Sequence, residues 1–146
     1  MTTENKGLKG PAIFLAQGWG KVGWSTLEEC ARTAAGLGYK GLQAQLWTGG
    51  PIDLELAATS KAYCDDLQAV ATNAGCPIVE VANHCDTQLV RCCPAYLKLH
   101  SWPAPKHIHG NPVALAEWAA NRAKLSVAAA ANFGFKNVAA FSGTGM

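Results

Sequence analysis

The stretch AAGLGYKGLQAQLW, residues 34–47, decides the fold. It reads as the end of an Ala-rich helix, a glycine, an aromatic residue and a short apolar strand. Gly38 stands where a helix C-terminus needs a left-handed residue, a conformation that glycine takes without a Cβ clash. The same grammar returns in ATNAGCPIVEVANH (71–84) and AANFGFKNVAAFSG (130–143), with Gly75 and Gly134 in the place of Gly38. Pro77 cannot continue the helix before it and suits the first residue of a strand.

Working outward, four strands are expected: Ala12–Gln17, Gly41–Leu46, Ile78–Ala82 and Asn137–Phe141. All are short and mostly apolar, as strands covered on both faces should be. Gln43, Gln45 and Glu80 are the exceptions and point to a barrel interior or a site. Three helices alternate with the strands. The first is Thr26–Leu37, capped by Ser25, with Glu28 and Glu29 in the turn where the helix dipole favours negative charge. Its apolar stripe is Leu27, Cys30, Ala31, Ala34 and Ala35. The second runs from about Asp53 to Asn73, with a break near Thr59–Ser60. The third runs from about Pro112 to Phe133, with Asn111 as cap and Pro112 at the first helical position. This β-α-β-α-β-α-β order predicts a parallel sheet with right-handed crossovers. The interval from Gly75 to Gly134 is longer than that from Gly38 to Gly75, and the excess falls at 85–111. A long loop there follows the C-terminal end of a strand, where a TIM barrel builds its active site. The organisation expected is a polar tail over 1–10 and a partial (β/α)8 domain of about four strands over 11–146.

The totals set limits. The 146 residues are 49% apolar and 15% charged, with a net charge of +2. That is core-forming material, and the lack of a basic block gives nucleic-acid binding no electrostatic support. No continuous membrane span or signal-peptide core is legible, so the expected compartment is the cytoplasm, with no membrane partner. The six cysteines are read as reduced, mostly buried thiols. Residues 85–109 hold Cys85, Asp86, Cys92, Cys93, His100, His107 and His109, without the spacing of a structural zinc site. They read instead as a lid, stiffened by Trp102-Pro103-Ala104-Pro105.

After the first strand, Gly18, Gly20 and Gly23 give G-x-G-x-x-G, so a small dinucleotide-binding oxidoreductase domain is one reading. Two tryptophans and Lys21 lie within or beside that run, the helix starts only after Ser25, and no acidic residue follows the second strand. Simple turn glycines are the stronger reading.

The run WSTLEECARTAAGLGYKGLQ (24–43) resembles the opening of the xylose isomerase-like TIM-barrel superfamily, which contains sugar phosphate isomerases and epimerases. Val81-Ala82-Asn83-His84 is similar to its third strand, which brings a His to the barrel mouth, and Phe141-Ser142-Gly143 to the end of its fourth. A full barrel takes ~250 residues, so the resemblance covers an N-terminal half only. It implies a fragment of a metal-dependent isomerase or epimerase acting on a sugar or sugar phosphate, inactive alone. The divalent metal is expected of the full-length parent. In such members its ligands come mainly from later strands, and none is assignable in this chain. Catalytic residues are therefore unassigned. The substrate-binding residues expected are His84, Trp19, Trp47, Gln17 and Gln45. Near pH 7 a neutral imidazole can bind a sugar hydroxyl or contribute to a metal site. The tryptophans offer flat apolar faces to a sugar ring, and the glutamines hydrogen-bond hydroxyls. Asn83 points to the opposite face from His84 by strand alternation. Two alternatives remain: a non-catalytic βα module that binds a sugar or a protein partner, and the small dinucleotide-binding oxidoreductase domain. Self-association through the open sheet edge is the partner interaction expected.

Overall fold

The computed structural model describes residues 10–144. The polar tail expected over 1–10 lies outside this range except for Gly10, as do Gly145 and Met146.

Three helix ends set the pattern. Strand β1 (Ala12–Phe14) leads to helix α1 (Leu27–Gly36), strand β2 (Gly41–Gln45), helices α2 (Leu54–Thr59) and α3 (Lys61–Asn73), and strand β3 (Ile78–Asn83). Helix α1 ends with the Gly38 and Tyr39 amides donating to the Ala35 and Ala34 carbonyls. Helix α3 ends the same way, with Gly75 to Thr72 and Cys76 to Ala71. Both are Schellman closures, and their glycines sit at φ +90° and +98°. The chain goes on through two short helical turns, α4 (His84–Thr87) and α5 (Leu97–His100), to helix α6 (Pro112–Asn132) and strand β4 (Ala139–Ala140). Helix α6 closes in the same manner, Gly134 to Ala131 and Phe135 to Ala130, with Gly134 at φ +82°.

The four strands are all parallel, in the order β1-β2-β3-β4, and curl into a half-barrel. Phe14 pairs with Gln43 and Gln43 with Glu80, so these three share one face. Leu42 pairs with Ile78 on the other face, and an irregularity between Leu42 and Gln43 sets the register. Leu42, Ala44, Ile78 and Val81 pack on the helices in one core with Leu27, Cys30, Ala31, Ala34, Ala71 and Ala129. Cys30, Cys64 and Cys76 are buried in this core, and all six cysteines are free thiols. Burial pushes the Cys30 thiol up to about 11 and raises those of Cys64 and Cys76.

Several expectations need correction. The first strand stops at Phe14, because Leu15–Gln17 form a 3-10 turn in which the Leu15 carbonyl accepts the Gly18 and Trp19 amides. The fourth strand pairs only over Ala139–Ala140. The cap of α1 is Thr26, not Ser25: its hydroxyl accepts the Glu29 amide at 3.1 Å, and the Glu29 carboxylate reaches back to the Ser25 amide at 3.0 Å. The second helix, by contrast, breaks where expected, near Thr59–Ser60, into α2 and α3. Extended Ser60, at ψ 105°, ends α2, and its hydroxyl accepts the Tyr63 amide at the start of α3. Residues 85–111 are not a bare loop. They fold as short helical turns with a small core of their own, where Leu89 and Ala104 meet Leu115 and Ala119 of α6.

The helix-ending glycines permit a graded test. A Cβ at Gly38 meets nothing within 4 Å, whereas one at Gly75 lies 3.1 Å from the Ala35 Cβ. Gly38→Ala carries only the left-handed penalty of about 1 kcal/mol. Gly75→Ala adds crowding between α3 and α1. Urea denaturation is expected to rank Gly75→Ala clearly below Gly38→Ala, and equal losses would show that the helix contact yields freely.

Candidate functional site at the strand ends

Each strand delivers one aromatic side chain at or just beyond its C-terminal end: Phe14 from β1, Trp47 from β2, His84 from β3 and Phe141 from β4. The four rings form one cluster. His84 stacks on Phe141 at 4.5 Å between centroids and on Trp47 at 5.8 Å. Phe14 meets His84 edge-on at 5.2 Å and Trp47 at 5.8 Å. Phe141 is 51% exposed, and the other three are half-buried, so the cluster is a wall reachable from solvent. Beneath it on the same face, the Gln43 amide donates to the Glu80 carboxylate. Burial lowers the pKa of His84, and the Glu80 charge opposes this in part. The ring is therefore neutral near pH 7, able to donate and to accept.

A single turn holds this wall in place. The Asn83 side-chain oxygen accepts the Asp86 amide and caps α4, and its Nδ2 donates to Ser126 Oγ at 2.9 Å. Asn83 thus faces the helices, opposite His84, as alternation requires. The Thr87 hydroxyl donates to the Asn83 carbonyl and accepts the Phe141 amide at 3.0 Å, which fixes the end of β4. Asp86 is fully buried. Its Oδ2 accepts from Arg122 Nε at 2.7 Å, its Oδ1 accepts the Thr48 amide at 3.3 Å, and Arg122 also reaches Glu55. Burial raises the Asp86 carboxyl's pKa, while the Arg122 guanidinium and the Thr48 and Asn83 N–H groups pull it down.

No family model matches this chain, and neither does any curated protein.

Of the residues expected at the site, the structure brings Trp47 and His84 together. Trp19 lies outside the ring cluster: its Nε1 donates to the Gly49 carbonyl at 2.8 Å, joining the loops after β1 and β2. Gln45 lies two residues before Trp47, is 1% exposed and has no partner for Oε1 among the described residues. Gln17 is exposed and is absent from the ring cluster; it lines a hollow of about 420 Å³ that adjoins the cluster at Phe14 and is otherwise bounded by Lys21, Trp24 and Tyr39 among others. Sequence reasoning placed Phe14 only within a strand and did not pair Asp86 with Arg122. The spacing of Asp86, two residues after a strand-end His, was the available signal for the first partner. Nothing in the sequence pointed to the second.

The glycine-rich run has local work. The amides of Gly18, Trp19, Gly20, Lys21 and Trp24 all donate to carbonyls of the same turn, and the Ser25 amide is held by Glu29. A Cβ on Gly18 would stand 2.8 Å from the Trp24 ring. These amides are not free to cradle a pyrophosphate. Among the described residues no three of His, Cys, Asp and Glu gather in a group that could hold a metal ion, and no helix is long and apolar enough to cross a membrane. Arg91, Lys98 and Lys106 are exposed, and the Pro103 carbonyl accepts the Thr48 hydroxyl at 3.1 Å, tying the segment after α5 to the loop after β2.

Proposed function

We propose that this chain supplies the substrate-binding wall of a metal-dependent sugar or sugar-phosphate isomerase or epimerase of the xylose isomerase-like kind, and that it is inactive alone. One observation carries the reading: at the same end of four successive parallel strands, Phe14, Trp47 and Phe141 gather around one neutral histidine, His84. Sugar rings present apolar C–H faces that lie flat on aromatic faces, and a neutral imidazole serves their hydroxyls in either direction. Such isomerases move a proton next to a carbonyl while a metal polarises the substrate oxygens. The described residues do not provide the donor set for that metal. Their part is to bind and orient the sugar.

Titration with aldohexoses, ketohexoses and their phosphates, followed by tryptophan fluorescence and by the ring-proton resonances of His84, tests this. Saturable binding is expected, with Trp47→Ala weakening it about 10-fold, the equivalent of one stacked face at roughly 1.4 kcal/mol. No turnover is expected. Absence of any sugar-dependent change at His84 or Trp47 would remove the basis of the proposal.

The pH dependence has a definite sign. The His84 pKa is lowered from 6.5 in the folded chain, so the unfolded chain binds the proton more readily. His84's contribution is fully present above pH 6.5 and is lost as pH falls through its lowered value. Folding stability should therefore be flat above pH 6.5 and decline in acid. With the neutral imidazole as the binding form, sugar affinity should decline only below pH 6.5, where the folded ring itself takes up a proton. An affinity that rises on acidification would show that the charged imidazolium is the binding form.

A further inference from the structure

Trp47 and His84 follow different strands, β2 and β3, and their stacking at 5.8 Å requires that two separate backbone segments keep a fixed spacing. Thr48 directly follows Trp47, and Asp86 is two residues beyond His84. The two segments meet at one carboxylate. Asp86 Oδ1 accepts the Thr48 amide at 3.3 Å, while Oδ2 accepts Arg122 Nε at 2.7 Å and Asn83 Nδ2 at 3.4 Å. The Asp86 amide in turn donates to Asn83 Oδ1 at 3.3 Å. One buried group thus receives donors from the loop after β2, from α6 and from the end of β3. Arg122 is itself held from two sides, by Asp86 and by Glu55 of α2, and lies over the Trp118 ring at 5.7 Å.

We infer that Asp86, aimed by Arg122, is the positioning residue of the mouth: its carboxylate sets the spacing of Trp47 and His84 and so determines which sugars the wall accepts. The inference rests on the sugar-binding reading for its consequence, but not for its geometry. The buried carboxylate here spends its two oxygens on separate donors. The bond from Arg122, at 2.7 Å, is short as charge-assisted bonds are and aims the group, while the longer 3.3 Å contact to the Thr48 amide ties in the segment after β2. A carboxamide of the same shape has one acceptor oxygen and turns an N–H₂ toward a donor. Asp86→Asn therefore preserves volume and breaks the shared grip. An anchor that served stability alone would leave the rings where they are in any variant that folds.

The experiment compares the intact chain with Asp86→Asn and Arg122→Lys by NMR and by sugar titration at a temperature where circular dichroism shows each variant folded. In the free protein the His84 ring protons are expected upfield of free imidazole, because the Phe141 and Trp47 rings stack on it. In Asp86→Asn they are expected to move toward unstacked values, with loss of the His84–Trp47 cross-peaks. Sugar affinity should fall about 10-fold or more. Arg122→Lys retains a cation but cannot span both carboxylates, so it should shift the same resonances less. It carries the test if Asp86→Asn does not fold. Wild-type ring shifts and cross-peaks in a folded variant would overturn the inference. Displaced rings in a protein whose wild type binds no sugar would support Asp86 as the positioning residue and overturn the sugar reading instead.

Discussion

Replacing Arg122 with Met is expected to lower the unfolding free energy by about 3–5 kcal/mol, a fall in melting temperature on the order of 10–20 °C. Asp86 is fully buried beside a guanidinium that is itself only 11% exposed at the side chain. Removing the guanidinium leaves a carboxylate in an apolar setting with only the Thr48 and Asn83 N–H groups for company. Breaking one side of a buried pair is costly for this reason, even where the intact pair adds little net stability. The loss should be largest at neutral pH and smaller in acid, where Asp86 can take up a proton instead of standing charged and alone. Glu55, at 65% exposure, is the weak end of the bridge, and Glu55→Gln should cost less than about 1 kcal/mol. The double variant Asp86→Leu/Arg122→Met should recover part of the loss, since it leaves no lone charge. Thermal and urea denaturation at two pH values would decide. A loss below about 1 kcal/mol for Arg122→Met would mean that water reaches Asp86 readily.

Leu42→Ala should be of similar size, about 4–5 kcal/mol, at the upper end of the range for such truncations. Leu42 is completely buried in the central strand β2. The spread in the cost of such changes reflects how far the surroundings can close the hole. Here the facing helices contribute Ala31, Ala34, Ala71 and Ala129 to the same core. Alanine has no rotamer by which to swing into a vacancy, so closure would require a whole helix to move. Leu37, 65% exposed, is the control and should change stability by less than about 0.5 kcal/mol as Leu37→Ala. If Leu42→Ala costs no more than about 2 kcal/mol, the helices have settled onto the sheet.

The parallel half-barrel was legible because its punctuation is local. Each helix stop is written in a few residues around Gly38, Gly75 or Gly134, and nothing distant is needed to read it. The Asn111–Pro112 start of α6 was legible for the same reason. The strand limits were less so. Phe14 ends β1 because the next residues turn to bury Leu15, a choice made by the core and not by the local pattern. The wall was read in part: Trp47 and His84 declared themselves by residue type at a strand end. Phe141 entered only as part of the fourth strand's mouth, and Phe14 looked like ordinary core. The tie between Asp86 and Arg122 joins residues far apart in sequence. No periodicity links them, and only folding puts α6 against the turn after β3. Trp19 was the converse case, since a tryptophan after a strand looks the same in sequence whether it faces a ligand or spans two loops.

The three core cysteines have a practical consequence. Cys30 lies in α1, Cys64 in α3 and Cys76 at the approach to β3, and none is open to solvent. A thiol reagent can reach each only when its own surroundings come apart, so the rate of modification at each sulfur reads the free energy of that local opening. The molecule thus carries three native clocks, spread over successive βα units, that need no label or substitution to report which unit loosens first.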